Sequence, residues 1–158
     1  MTTLSTSPAS PGVSTAALGE VGMSIKVLLA DDHAWVRSTV RDLLSASDDI
    51  TVVAECADGS EVAGAAAHSR PDVVLTDLHM PRMGGLEAMR TLLGDQPDAR
   101  VIVLSGVLCQ GSAREAKALG AAGYLLKADA PGDLPEHVRT VAAGGTAWSA
   151  RTAAVLQH

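Results

Sequence analysis

Five short apolar runs, four of them containing β-branched residues, alternate with five stretches of helical period, and this order constrains the fold more than any other feature of the chain. The runs are IKVLLAD (25–31), ITVVAEC (50–56), DVVLTD (72–77), RVIVLS (100–105) and AGYLLK (122–127). Each has the length of a strand and is bounded by polar or turn residues. After the first run, Val36, Val40, Leu43 and Leu44 recur at i, i+4, i+7 and i+8, which places them on one face of a helix over 34–47. Further helices are expected around 59–69, from Gly84 and Gly85 with a stripe of Leu86, Met89 and Leu93, and near 112–119 ending at Gly120. A last helix is expected from Asp133 as its cap, with Pro135 in its first turn, Leu134, Val138, Val141 and Ala142 inward, and Gly144 and Gly145 at its end.

Strands that alternate with helices through short loops form a parallel sheet, because parallel neighbours need crossover connections. The expected fold class is therefore α/β: a doubly wound (βα)5 unit with a five-stranded parallel sheet and helices on both faces. Residues 1–24, rich in Ser, Thr, Ala, Gly and Pro, show no apolar period and read as a disordered leader. Residues 25–145 read as the folded domain and 146–158 as a C-terminal helix or linker stub.

In such sheets ligands bind beyond the carboxyl ends of the strands. The polar residues there can be named without choosing them for function. Strand one ends in Asp31 and Asp32, strand three in Thr76 and Asp77, strand four in Ser105 and strand five in Lys127. Carboxylates brought close together stay ionised only with a cation among them. An all-oxygen donor set points to Mg2+, which keeps several waters and typically takes one or two carboxylates plus a phosphate oxygen. Lys127 and Ser105 are then left to serve a phosphoryl group.

Four segments, VLLADDH (27–33), DVVLTDLHMPRMGG (72–85), VIVLS (101–105) and GAAGYLLK (120–127), follow one another in the order and spacing of a known family. By them, residues 25–145 resemble the receiver domain of two-component response regulators, and GYLLKAD without a following Pro resembles the NarL/FixJ type. The resemblance implies a flavodoxin-like strand order 2-1-3-4-5. It implies Asp77 as phosphoacceptor and Mg2+ ligand, Asp32 as direct Mg2+ ligand, Asp31 as a ligand through water, and the backbone carbonyl of His79 completing the metal site. It assigns Lys127 to the phosphoryl oxygens, Ser105 to a hydroxyl that swings toward them, and Tyr124 to an aromatic switch that turns inward when Ser105 moves. The implied donor is a phosphohistidine on a sensor histidine kinase, the protein being a stoichiometric acceptor rather than a conventional enzyme. The implied readout is a changed surface at helix 4, strand 5 and helix 5, with homodimerisation on phosphorylation and control of transcription. Receivers of this type normally precede a helix-turn-helix domain of roughly 60 residues, so the chain reads either as part of a longer regulator or as a stand-alone receiver. Gly106 and the segment VLCQG (107–111) depart from the acidic stretch often found after strand four.

Competing readings follow from the same residues. Asp31 and Asp32 alone would read as a strand end and a helix cap, and Lys127 as a solvated lysine. A haloacid-dehalogenase-like phosphatase also uses a strand-end aspartate, but His79 stands where its general acid belongs. A flavin module needs a phosphate-binding first loop, and DDHA would repel phosphate. A receiver-like interaction module that works without phosphate is the remaining alternative. None of the five histidines has ligand spacing to another, so His33, His68 and His137 read as surface residues, while His79 is placed to influence hydrolysis of an acyl phosphate. Cys56 reads as core and Cys109 as an exposed loop thiol. The net charge of −6 argues against direct nucleic acid binding by this segment, and no apolar run approaches the roughly 20 residues that span a bilayer. With no secretory signal pattern, the cytoplasm is the expected location.

Overall fold

The structure is a computed structural model of the 158-residue chain, and it describes residues 24–129 and 131–157. The expected leader therefore lies outside the described residues, except for Ser24. Within them run six strands, β1 (Ile25–Ala30), β2 (Ile50–Cys56), β3 (Val73–Thr76), β4 (Val101–Ser105), β5 (Gly123–Leu126) and β6 (Ala147–Trp148). Between and after them come helices α1 (Ala34–Ser45), α2 (Val62–Ser69), α3 (Gly85–Asp95), α4 (Gln110–Leu119), α5 (Leu134–Ala142) and α6 (Ala150–Leu156). All strands are parallel, in the order β2-β1-β3-β4-β5-β6.

The first five strands take the expected order, and the sheet then gains a sixth strand within the segment read as a linker stub. Two residues are too few to show a period, so β6 carries no pattern of its own. What admits it is Gly123: a Cβ there would collide with the carbonyl oxygen of Ala147. The Ala147 N–H donates to the Ala122 carbonyl at 2.8 Å and the Ser149 N–H to that of Tyr124 at 3.2 Å. Ser149 then caps α6, its hydroxyl oxygen accepting from the Thr152 N–H at 3.1 Å.

Because successive side chains of a strand face opposite ways, the sheet feeds two cores. Leu28, Val74, Val103, Tyr124 and Leu126 face α2, α3 and α4, meeting Ala66, Met89, Leu92 and Ala113. Val27, Leu29, Leu75, Ile102 and Leu125 face the other way, onto Val40 and Leu44 of α1 and Val138 and Val141 of α5. Central strands buried on both faces explain why β3 and β4 read as unbroken apolar runs.

Three local expectations are corrected. The buried line of α3 is Gly85, Ala88, Met89 and Leu92, and Leu86 and Leu93 only flank it. Asp133 makes no capping hydrogen bond, because a 3₁₀ turn over Pro131–Asp133 runs directly into α5. Helix α4 begins at Gln110, earlier than the expected 112, and ends at Leu119 with Gly120 as its cap, as expected. Cys56 is a core residue whose thiol is pushed up to about 11 by burial, and Cys109 is exposed.

Candidate functional site

Three side chains of the site stand one residue beyond a strand, on backbone that still belongs to the ladder. The Asp31 N–H donates to the Cys56 carbonyl at 3.0 Å, the Asp77 N–H to that of Ala30 at 2.8 Å, and the Lys127 N–H to that of Ser105 at 2.7 Å. Each side chain is thus aimed by rigid sheet rather than by a loop. Asp77 is held from below as well. Helix α3 starts against its carbonyl, where a Cβ at Gly85 would collide with the Asp77 oxygen, and the Gly85 N–H donates to the Leu78 carbonyl at 2.8 Å.

Lys127 joins the two strand-end carboxylates. Its Nζ donates to Asp31 Oδ2 at 2.8 Å and lies 3.4 Å from Asp77 Oδ2. The other Asp77 oxygen, Oδ1, accepts from the Leu78 N–H at 2.7 Å. Asp31 is further fixed by the His33 N–H, which donates to its Oδ1 at 2.9 Å, and by the Arg37 guanidinium, which donates to its carbonyl at 2.6 Å.

Asp32 completes the acidic cluster, and its Oδ1 is buried without receiving any hydrogen bond. Asp31, Asp32, His33 and Asp77 each present a donor atom, none more than 4.8 Å from the others. Three carboxylates against one lysine leave an excess of negative charge at a largely dry edge, and an orphaned carboxylate oxygen faces into it. Those residues fit a hard divalent cation. His33, expected at the surface, is largely exposed, yet its Nδ1 lies 3.2 Å from Asp32 Oδ1 and 3.5 Å from Asp31 Oδ1. His79 has an exposed side chain, and His68 is exposed too.

Ser105 and Tyr124 share a partner that no sequence pattern marks. The Ser105 hydroxyl donates to the Val107 carbonyl at 2.9 Å and accepts from the Val107 N–H at 3.2 Å, while the Tyr124 hydroxyl donates to that same carbonyl at 3.3 Å. Tyr124 is already fully buried. The inward position expected after phosphorylation is thus occupied here with Ser105 still turned to Val107. Because Val107 acts through its backbone, its side chain gave no signal.

Asp58 is a second residue that spacing missed. Its carboxylate accepts from the N–H groups of Ser60 and Arg82, each at 2.9 Å, pinning the loop after β3 to the loop after β2. The Ser60 hydrogen bonds first, then the Arg82 N–H, hold its carboxyl at about 2, below the ordinary 3.8. The Asp-Gly-Ser turn is legible in sequence, but the tie to Arg82 is not.

Beside the site a cleft of about 560 Å3 opens between α1 and α5, walled by Trp35, Leu43, Leu134, His137 and Trp148 and reaching Lys127. Trp35 is 78% exposed on its rim.

Residues 27–139 match the family described as the response regulator receiver domain. The chain belongs to the response regulator receiver family. Among its relatives is the response regulator GacA of Pseudomonas syringae, 38% identical over 122 residues, which cover 76% of this chain and 56% of GacA. The DNA-binding transcriptional activator DevR/DosR of Mycobacterium tuberculosis is 35% identical over 132 residues, covering 84% of this chain and 61% of that protein. The chain thus spans a little over half the length of these relatives. A LuxR-family response regulator from Aurantimonas superposes with a TM-score of 0.81 at 31% identity, over 85% of this chain and 96% of the solved one. The receiver domain of the NarL-type regulator of M. tuberculosis does so at 0.73 and 30%, over 77% and 98%. Receivers of this family are phosphoacceptors of two-component phosphorelays and typically bind Mg2+ in an acidic pocket, and Asp31, Asp32 and Asp77 form an acidic cluster here. No helix of the described residues is long and apolar enough to cross a membrane.

Proposed function

We propose that Asp77 is the residue phosphorylated in this receiver, with a phosphohistidine of a sensor histidine kinase as donor. The observation that carries this reading is Lys127 Nζ set between Asp31 and Asp77, 2.8 and 3.4 Å from their oxygens, on the edge where Asp32 Oδ1 is left without a hydrogen bond. Asp77 Oδ1 is held by the Leu78 N–H, which leaves Oδ2, on the lysine side, to attack phosphorus. The new P–O bond forms as the P–N bond to the donor imidazole breaks, and the imidazole keeps the electron pair and takes up a proton. Lys127 meets the negative charge of the phosphoryl oxygens once they arrive.

Asp32 is assigned to hold Mg2+ directly, Asp31 through water, and His79 by its backbone carbonyl; the bound cation supplies further charge neutralisation at the phosphoryl group. Ser105 then gives up Val107 for a phosphoryl oxygen, and the freed carbonyl stays with Tyr124. The loop from Gly106 to Cys109 and the surface of α4, β5 and α5 carry the change outward. The receiver, expected to span 25–145, takes in β6 as well, since that strand pairs with β5, and α6 leads from it toward an output. The relative DevR/DosR, a DNA-binding transcriptional activator, supports transcription as that output, through a fused or partner domain rather than this segment, with homodimerisation on phosphorylation and the cytoplasm as its setting.

The test is intact mass after incubation with acetyl phosphate, with and without Mg2+, for the protein and for Asp77→Asn. One Mg2+-dependent phosphoryl adduct, absent from Asp77→Asn, is expected. A folded protein that takes no adduct from acetyl phosphate or from a phosphorylated histidine kinase would favour the phosphate-independent interaction module instead.

A further inference from the structure

His33 sits in the acidic cluster without any structural task for its ring. It occupies the N-cap position of α1, yet its side chain makes no capping hydrogen bond. Its backbone is fully engaged, the N–H with Asp31 Oδ1 at 2.9 Å and the carbonyl with the Arg37 N–H at 2.9 Å, so the residue is anchored while the imidazole is free to be aimed. The ring is aimed at the carboxylates. Its Nδ1 lies 3.2 Å from Asp32 Oδ1, and still that oxygen receives no hydrogen bond.

Two electron-pair donors this close, and not hydrogen-bonded, are arranged as neighbours in one coordination shell. Around an octahedral cation with metal–oxygen distances of about 2.1 Å, adjacent donors lie roughly 3 Å apart and opposite donors roughly 4.2 Å apart. The separations of Nδ1 from Asp32 and Asp31, 3.2 and 3.5 Å, match adjacent positions, and all four donors lie within 4.8 Å of one another. The side chains of His33 and Asp32, 70% and 26% exposed, have room to close the remaining gap by rotation.

Resting on the reading of this edge as a receiver's cation site, we propose that His33 Nδ1 is a protein ligand of the cation, so that the site prefers first-row transition dications, of which Mn2+ is the paramagnetic probe, over Mg2+. The chemical reason is the nitrogen. Mg2+ is bound by oxygen and parts reluctantly with its waters, whereas imidazole is a good ligand for the transition dications. In the neutral tautomer that carries its proton on Nε2, the Nδ1 lone pair is available to the metal. Three carboxylates with one imidazole form a mixed set that still accepts Mg2+ through its oxygens but gains a metal–nitrogen bond with a transition dication.

The experiment is pulsed electron paramagnetic resonance of the full chain loaded with Mn2+, beside calorimetric titrations with Mn2+ and with Mg2+. The protein, His33→Ala and Asp32→Asn are compared. The expected result is 14N modulation of the Mn2+ signal, lost in His33→Ala, with that variant binding Mn2+ about tenfold more weakly and Mg2+ as before. Mn2+ binding that depends on Asp32 but shows no nitrogen modulation, or a Mn2+ to Mg2+ ratio unchanged in His33→Ala, would overturn the role of His33 and leave the cation site standing. Failure of either ion to bind, or full binding by Asp32→Asn, would overturn the cation site and the inference together. Circular dichroism and Tm of His33→Ala, whose ring is exposed, verify that its fold is intact.

Discussion

Asp58 is no member of the acidic cluster, yet it holds the loop that carries His79, because its carboxylate collects N–H groups from Ser60 and Arg82. Its carboxyl sits at about 2 in the folded chain against an ordinary 3.8. A depressed carboxyl contributes stability that is fully present above its unfolded value and is lost as pH falls through the folded one. Asp58→Asn is therefore expected to lower Tm by a few degrees at neutral pH, and the difference from the parent should shrink between pH 4 and pH 2. Thermal melts followed by circular dichroism across that range check it, and a constant difference down to pH 2 would contradict it. At the same scale, the strand-end rule found Asp31, Asp32, Asp77, Ser105 and Lys127 because a parallel sheet collects whatever follows its strands. His33 and Val107 escaped it for opposite reasons. One is a side chain whose aim depends on how α1 begins, and the other works only through its backbone.

At the scale of elements, β1, β3, β4 and β5 were legible because burial on both faces leaves an apolar run that neighbouring helices do not share, and the half-exposed edge strand β2 was legible through its Ile, Thr and Val content. Helix ends were less so: Asp133 looks like a cap, but the turn before it supplies the entry to α5. Strand β6 was invisible for want of length, and its only sequence trace is Gly123 on the strand it joins. Gly123→Val places a branched side chain where the Ala147 carbonyl now lies. Detachment of β6 is the expected outcome, read as loss of hydrogen-exchange protection at the Ala147 and Ser149 amides while those of β1 and β3 stay protected. Continued protection of Ala147 would show that the sheet absorbs the side chain by moving.

Taken whole, the molecule is one sheet between two helical layers, and the two cores share every central strand. Leu75 lies in the third strand with no exposed surface, facing α1 and α5 one residue before the Thr76-Asp77 strand end. Leu75→Ala is expected to cost about 2–5 kcal/mol, seen as a lower urea midpoint with unchanged slope, since the cooperative unit is the same. A changed slope would mean that the two layers no longer unfold together. The chain's two tryptophans, Trp35 and Trp148, both stand on the wall of the cleft between α1 and α5, and Tyr124 is the sole tyrosine. Trp35 is in effect a lamp mounted on one side of the building, lighting the cleft and its Lys127 end, whereas Trp148 also touches the core beneath α2, α3 and α4, where Tyr124 lies. In Trp148→Phe the remaining tryptophan signal therefore describes one layer, and its agreement with a whole-backbone signal shows that the other layer went with it.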